Sequence, residues 1–266
     1  GSRGNDKIEN SGDSVKVDSG AGNDSINNEG DNVTISGGDG DDTVTQERRN
    51  NVSMNLGAGN DYVFNAYGST NITIDTGEGK DTIDNASSKL SLSSGEGDDS
   101  ISLYSGDDIT VIGGKGNDSI FNNTASKVLY KYSAGDGNDK ITGFNATSTL
   151  SINGGVNDSS PLSSLGGTQA TTTKSGNDII VTVGDGKITL AGAANLSNAN
   201  IVETPLNYSS NKSNATVYGT NANDTITNTG EKVAIFARGG NDSLINNNQG
   251  VNSTINGAGG DDYIDN

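Results

Sequence analysis

The 266-residue chain has no cysteine, no histidine and no tryptophan, only two prolines and four phenylalanines, and 16 basic against 34 acidic residues. Each scarcity closes a class of function. Without cysteine, neither a disulfide nor a thiolate metal site can staple the fold. Without histidine, Ser-His-Asp and Cys-His catalysis and ordinary zinc sites fall away. Paired carboxylates for glycoside cleavage remain formally open, but the regularly spaced acids sit in turns and no Glu–Asp pair stands in an apolar pattern. The chain is therefore expected not to be an enzyme. No apolar run approaches the roughly 20 residues that a membrane-spanning helix needs, so no membrane insertion is expected. A net charge of −18 argues against nucleic acid or an anionic membrane surface as partner. With 29% hydrophobic and 5% aromatic residues, there is too little apolar material for the broad core of a globule this long. The same composition fits a disordered chain, and disorder is the expected state when no counterion is present.

What the chain has instead is a repeat. The segment GGDGDDTVT at Gly37–Thr45 recurs with drift as GAGNDSINN from Gly20, GAGNDYVFN from Gly57, GEGKDTIDN from Gly77, GEGDDSISL from Gly95, GGKGNDSIF from Gly113 and GDGNDKITG from Gly135. Aligned on the acid before the apolar residue, Asp6, Asp24, Asp42, Asp61, Asp81, Asp99, Asp118 and Asp139 fall in register, at steps of 18, 18, 19, 20, 18, 19 and 21 residues. A disordered polar chain has no reason to hold this phase. The period marks a stacked solenoid, in which each coil buries only a narrow line of side chains against its neighbours.

Within one coil there are two short strands of period two, each closed by a turn. Ile8, Ile26, Val44, Val63, Ile83, Ile101, Ile120 and Ile141 mark the first strand, and Val15, Val33, Val52, Ile72, Leu90, Ile109 and Val128 open the second. β-Branched residues pointing inward are expected to stack coil on coil, with parallel backbone hydrogen bonds along the stack. The outward lines mix charged, hydroxyl and aromatic residues, which does not suit an ice lattice. Tyr62 with Phe64, and Tyr130 with Tyr132, are candidate sugar-stacking platforms.

The two edges of a coil differ. One repeats Gly-x-Gly-x-Asp; the other carries Asn, Ser, Ala and Tyr. Glycine permits backbone angles that turn several carbonyls into one loop, and carbonyls with a carboxylate make an oxygen cage for a hard cation such as calcium, which takes six to eight oxygen ligands. One ladder of calcium ions is expected, with weaker sites at most at Asp13, Asp31 and Asp107 on the other edge, held mainly by Asn and Ser hydrogen bonds.

These residues resemble the glycine- and aspartate-rich nonapeptide repeats of the RTX family, most closely at Gly37–Thr45 and Gly113–Phe121. The resemblance implies an all-β parallel β-roll with calcium between the turns of successive coils. It assigns metal binding to Asp6, Asp24, Asp42, Asp61, Asp81, Asp99, Asp118 and Asp139, and in the later run to Asp224, Asp242 and Asp262. The turn glycines that would accompany them are Gly20, Gly22, Gly38, Gly40, Gly57, Gly59, Gly77, Gly79, Gly95, Gly97, Gly114, Gly116, Gly135 and Gly137. This chain keeps the motif once per coil rather than twice.

Spacing breaks after Asp139. Residues 1–143 read as a calcium-binding β-roll, and 144–204 as a capping region with a Ser/Gly-rich loop around Pro161. An antiparallel hairpin is expected in that region, from Ile179–Val183 through Gly184-Asp185-Gly186 to Lys187–Leu190. Residues 205–214 read as a polar linker and 215–266 as a second, truncated roll, while Gly1–Ser2 reads as a cloning remnant. Two functions are open. One is a calcium-rigidified spacer of a secreted or surface-attached bacterial adhesin or matrix protein. The other is a non-catalytic module for secretion or polysaccharide binding on an exported enzyme. Both place the chain outside the cell or on its surface, where calcium is abundant, with extracellular glycans or surface proteins as partners and the fragment itself a monomer.

Overall fold

A computed structural model describes residues 3–153, 170–196, 199–211, 216–247 and 253–266; the stretch around Pro161 lies outside them. The described residues are all-β apart from one 3-10 turn at Ala193–Asn195. The architecture is a parallel β-roll with two strands per coil. Two compact units are present: Gly1–Leu150 with Thr172–Val181 and Gly186–Asn200, and Ser151–Thr171 with Thr182–Asp185 and Ile201–Asn266.

In the first unit, strands Lys7–Asn10, Ser25–Asn28, Thr43–Gln46, Tyr62–Asn65, Thr82–Asn85, Ser100–Leu103, Ser119–Asn122 and Asn138–Thr142 follow one another in one sheet. Their register pairs Ile26, Val44, Val63, Ile83, Ile101, Ile120 and Ile141 in sequence along the stack. All seven are buried. Because the side-chain period is two, this single choice of register carries every apolar residue of the line inward.

The facing sheet runs through Lys16–Ala21, Thr34–Asp39, Asn50–Ala58, Thr70–Glu78, Ser88–Glu96, Asp107–Lys115 and Ser126–Ser133. Several of these strands reach nine residues, longer than the sequence pattern suggests. They continue into the glycine motif itself, pairing Gly20 with Gly38, Gly38 with Gly57, Gly57 with Gly77 and Gly95 with Gly114. Each long strand therefore has three inward positions, as in Val52, Met54 and Leu56. In the last of these strands the inward positions are Val128, Tyr130 and Tyr132, all buried. Tyr130 and Tyr132 are thus core residues and no sugar platform. Their burial follows from alternation, since Tyr130 pairs with inward Val111.

After Asn138–Thr142 the first sheet takes up Gly186–Ala191 as its next parallel strand, then Asp178–Val183 and Thr171–Ser175. The outermost, Thr171–Ser175, is exposed along its whole length and carries Lys174, the kind of polar edge that discourages further pairing. Asp178 accepts a hydrogen bond from the Gly192 N–H at 2.8 Å. The facing sheet ends on Thr149–Asn153 and Asn200–Glu203.

In the second unit, Asn207–Ser210, Thr225–Asn228, Ser243–Asn246 and Tyr263–Asp265 form one sheet, and Thr216–Tyr218, Ala234–Phe236 and Thr254–Asn256 the other. The stretch expected as a linker is therefore in part a strand. Asn207–Ser210 pairs in register with Thr225–Asn228, and Leu206 and Tyr208 enter the core with Val217, Ile226, Val233, Ile235 and Leu244. Residues 212–214 of that stretch, and 215 after it, lie outside the described ones.

Candidate metal centre

Glycine recurs on one edge because of the backbone angles found there. The first glycine of each Gly-x-Gly, from Gly20 to Gly135, has φ between 96° and 120°; the second, from Gly22 to Gly137, has φ between 114° and 144°. These values lie beyond the left-handed region that other residues tolerate. The opposite edge also bends through positive φ, at 49–59° for Ser14, Asn32, Asn51, Asn71, Lys89, Asp108 and Lys127, and at 94°, 116° and 83° for Gly68, Gly106 and Gly143. Asn and other side chains can occupy the left-handed well near 50–60°, so this edge uses single glycines in some coils and no repeated Gly-x-Gly pair. Close packing adds a second constraint. A Cβ built on Gly79 would lie 1.7 Å from the Gly59 carbonyl oxygen of the coil below.

The register acids line this edge. Asp24, Asp42, Asp61, Asp81, Asp99, Asp118 and Asp139 are buried, as are Asp224 and Asp242; Asp6 and Asp262 are half-buried. Each Oδ1 accepts the backbone N–H of the corresponding acid one coil earlier. The bonds run Asp6 to Asp24, Asp24 to Asp42, Asp42 to Asp61, Asp61 to Asp81, Asp81 to Asp99, Asp99 to Asp118 and Asp118 to Asp139, all between 2.7 and 3.0 Å. One residue earlier, an exposed ladder runs the other way. The side-chain oxygens of Asn23, Asp41 and Asn60 accept from the N–H groups of Asp41, Asn60 and Lys80 in the following coils.

The second carboxylate oxygens are different. Oδ2 of Asp24, Asp42, Asp61, Asp81, Asp99, Asp118 and Asp242 is buried with no hydrogen-bond partner. Thr76 and Ser94 lie beside Asp81 and Asp99, but each commits its hydroxyl proton to a carbonyl of the next coil, Ser94 O at 2.9 Å and Gly113 O at 2.7 Å. Burial disfavours the charged form. It raises Asp42, Asp81 and Asp242, and lifts Asp61 to about 7, Asp99 to about 6, Asp118 to about 7 and Asp139 to about 8, with neighbouring acids adding to the rise in all of these except Asp81. A hydrogen-bonded backbone N–H opposes the shift in every case.

An orphaned, buried carboxylate oxygen costs free energy unless a proton or a cation meets it. The donors present are hard oxygens, which suit calcium. Among the described residues, no group of three acidic side chains converges on one point. The acids come one per coil, so carbonyls of the glycine turns would have to complete any shell. On that donor chemistry the turns of Asp24 through Asp118 fit a hard cation.

Asp224 is held differently. Its Oδ1 accepts from the Leu206 N–H and the Thr220 Oγ1–H, both at 2.7 Å, and its Oδ2 from the Thr220 N–H at 2.6 Å. That carboxylate has hydrogen-bond partners on both oxygens within the protein.

The edge opposite the Gly-x-Gly turns is held by amides. Asn10, Asn28 and Gln46 form a chain of side-chain hydrogen bonds at 2.7–2.8 Å, as do Asn65 with Asn85, and Asn228 with Asn246. These inward residues also grip their own turns: Gly30 N–H donates to Asn28 Oδ1 and Ser87 Oγ–H to Asn85 Oδ1. The acids proposed for weak sites here are engaged otherwise. Asp107 accepts from Ser126 Oγ at 2.6 Å and Lys127 Nζ at 2.8 Å, and Asp13 and Asp31 accept the N–H groups of Asp31 and Asn50.

No family model matches the chain, and no curated relative matches its sequence. Among solved structures, the extracellular lipase LipA from Serratia marcescens aligns with a TM-score of 0.30 and 16% identity, over 64% of this chain and 39% of the lipase. The chain thus spans well under half of that protein's length. The assignment as a parallel roll stands on the strand pairing described above.

Proposed function

We propose that this chain is a calcium-stabilised β-roll acting as a structural spacer of a secreted or surface-attached protein. The observation that carries the reading is the row of buried Oδ2 atoms without partners, repeated coil after coil beside turns that only glycine can form. Asp24, Asp42, Asp61, Asp81, Asp99 and Asp118 would hold the ions together with carbonyls of the adjoining turns. The ion supplies a charge that offsets the carboxylates, so its binding free energy adds to folding. Repetition with varied outward faces suits a spacer more than a catalyst. Extracellular calcium near the millimolar range would fill such sites, while a resting cytosol would not, which favours export before folding.

The test is a calcium titration of the chain in excess chelator, followed by circular dichroism and small-angle scattering. A transition from an expanded chain to a compact, strand-rich one supports the reading. A chain equally compact and strand-rich in chelator overturns it.

A further inference from the structure

We propose that the turn Gly219–Asp224 is closed by Thr220 in place of a cation, so that the second roll contains one coil that needs no metal. The inference rests on the calcium reading for the other turns and deepens it by marking where the ions stop. Asp224 is as buried as the acids of the first roll, at 1% exposure. Yet it holds three donors: Leu206 N–H, Thr220 N–H and Thr220 Oγ1–H. Thr220 Oγ1 also accepts the Ala222 N–H at 3.1 Å, which locks the hydroxyl over the turn. Hydrogen bonds of this kind offset the cost of burying the carboxylate.

Asp242, one coil further, shows what the alternative looks like. Its Oδ1 accepts the Asp224 N–H at 2.8 Å, and its Oδ2 is orphaned. The difference traces to two residues. Thr220 and Ala222 stand where the first roll has a pair such as Gly38 and Gly40, with φ of 120° and 126°, and neither adopts positive φ. With the backbone in its ordinary range, the Thr220 N–H donates to the carboxylate four residues on. A cation at this turn would have to displace two protons already given to Asp224.

Calcium counting and amide exchange on the full chain test this, with Asp224→Asn, Asp99→Asn and Thr220→Val as variants and calcium chloride as the probe. Asp224→Asn should bind as many ions as the parent chain, whereas Asp99→Asn should bind fewer. In saturating calcium the Thr220 amide of the parent should be protected. In Asp224→Asn the new Nδ2 faces that N–H, and exchange should speed up by about tenfold or more; Thr220→Val, which keeps the N–H and loses the hydroxyl, should show a smaller increase. Equal ion loss in Asp224→Asn and Asp99→Asn overturns the proposal. So does a Thr220 amide unprotected in saturating calcium. If calcium binds nowhere, the spacer function proposed above falls, and the exchange result alone judges Thr220: protection upholds it and loss of protection overturns it.

Discussion

The two rolls share a coil length, a parallel register and an amide ladder, yet they build their acidic edge differently. In the first, the facing strands run up to nine residues and pass through a glycine pair at extreme positive φ. In the second, the facing strands are three residues long, and the position of the first glycine is held by Thr220, Arg238 at φ 78° and Ala258 at φ 67°. Where glycine is replaced, the strand stops short of the turn and, at Asp224, side-chain and backbone donors take over the carboxylate. The lesson is that the acid alone does not define a metal turn. The backbone conformation preceding it decides whether the carboxylate is met from within the protein or left with a free oxygen.

The largest effect expected from breaking this contrast is at the stacked glycines. Gly79→Ala combines φ of 133° with a Cβ only 1.7 Å from a backbone oxygen, and should cost more than about 4 kcal/mol. Gly135→Ala, at φ 97° but with nothing within 4 Å of its Cβ, should cost about 1–3 kcal/mol of backbone strain. Gly239→Ala in the second roll meets nothing closer than 3.5 Å, outside the positive-φ set, and should stay within about 0.5 kcal/mol. Denaturant midpoints in calcium would rank the three; a Gly79→Ala chain as stable as Gly239→Ala would remove the stacking argument.

Next in size is the choice of edge. Asp99→Asn should lower both ion count and calcium affinity, while Asp107→Asn, which only loses its bonds to Ser126 and Lys127, should leave both unchanged. Equal losses by calorimetry would mean that both edges carry metal.

The pH response should also invert with calcium. In the metal-free fold Asp61, Asp99, Asp118 and Asp139 titrate at about 7, 6, 7 and 8, against an ordinary 3.8. The folded state then holds protons that the unfolded state has released, so stability is greatest below about pH 4 and is lost progressively as pH rises towards 8. Thermal midpoints in chelator should fall across that window. With saturating calcium they should rise instead, because protons compete with the ion for the same oxygens.

The smallest contrast is between the amide ladders, which are built alike in both rolls. Asn85→Ala and Asn228→Ala each remove an amide bonded to its neighbour and its own turn, and each should cost about 2 kcal/mol. A much larger loss in one roll would show that the shared geometry hides different support.

Much of this was legible without coordinates. The step of 18–21 residues between register acids is the step of the hydrogen bonds that join them, and the Gly-x-Gly spelling announces its own φ values, because no other residue occupies them at ordinary cost. The inward line from Ile26 to Ile141 follows from period two alone. Tyr130 and Tyr132 read in the sequence as surface aromatics, yet they continue the alternation of Val128 into the core. Leu206 and Tyr208 were hidden in polar surroundings, although Tyr208 stands 18 residues before its partner Ile226.

Composition and periodicity by themselves determined that the chain stacks coils, which edge bends through glycine and where the acids recur, since these depend on local backbone preference and spacing. The tertiary structure alone decided which carboxylate oxygens find partners. That depends on where a neighbouring N–H or hydroxyl points across a coil, and Asp224 and Asp242, each preceded by an asparagine, are separated by the direction of one threonine.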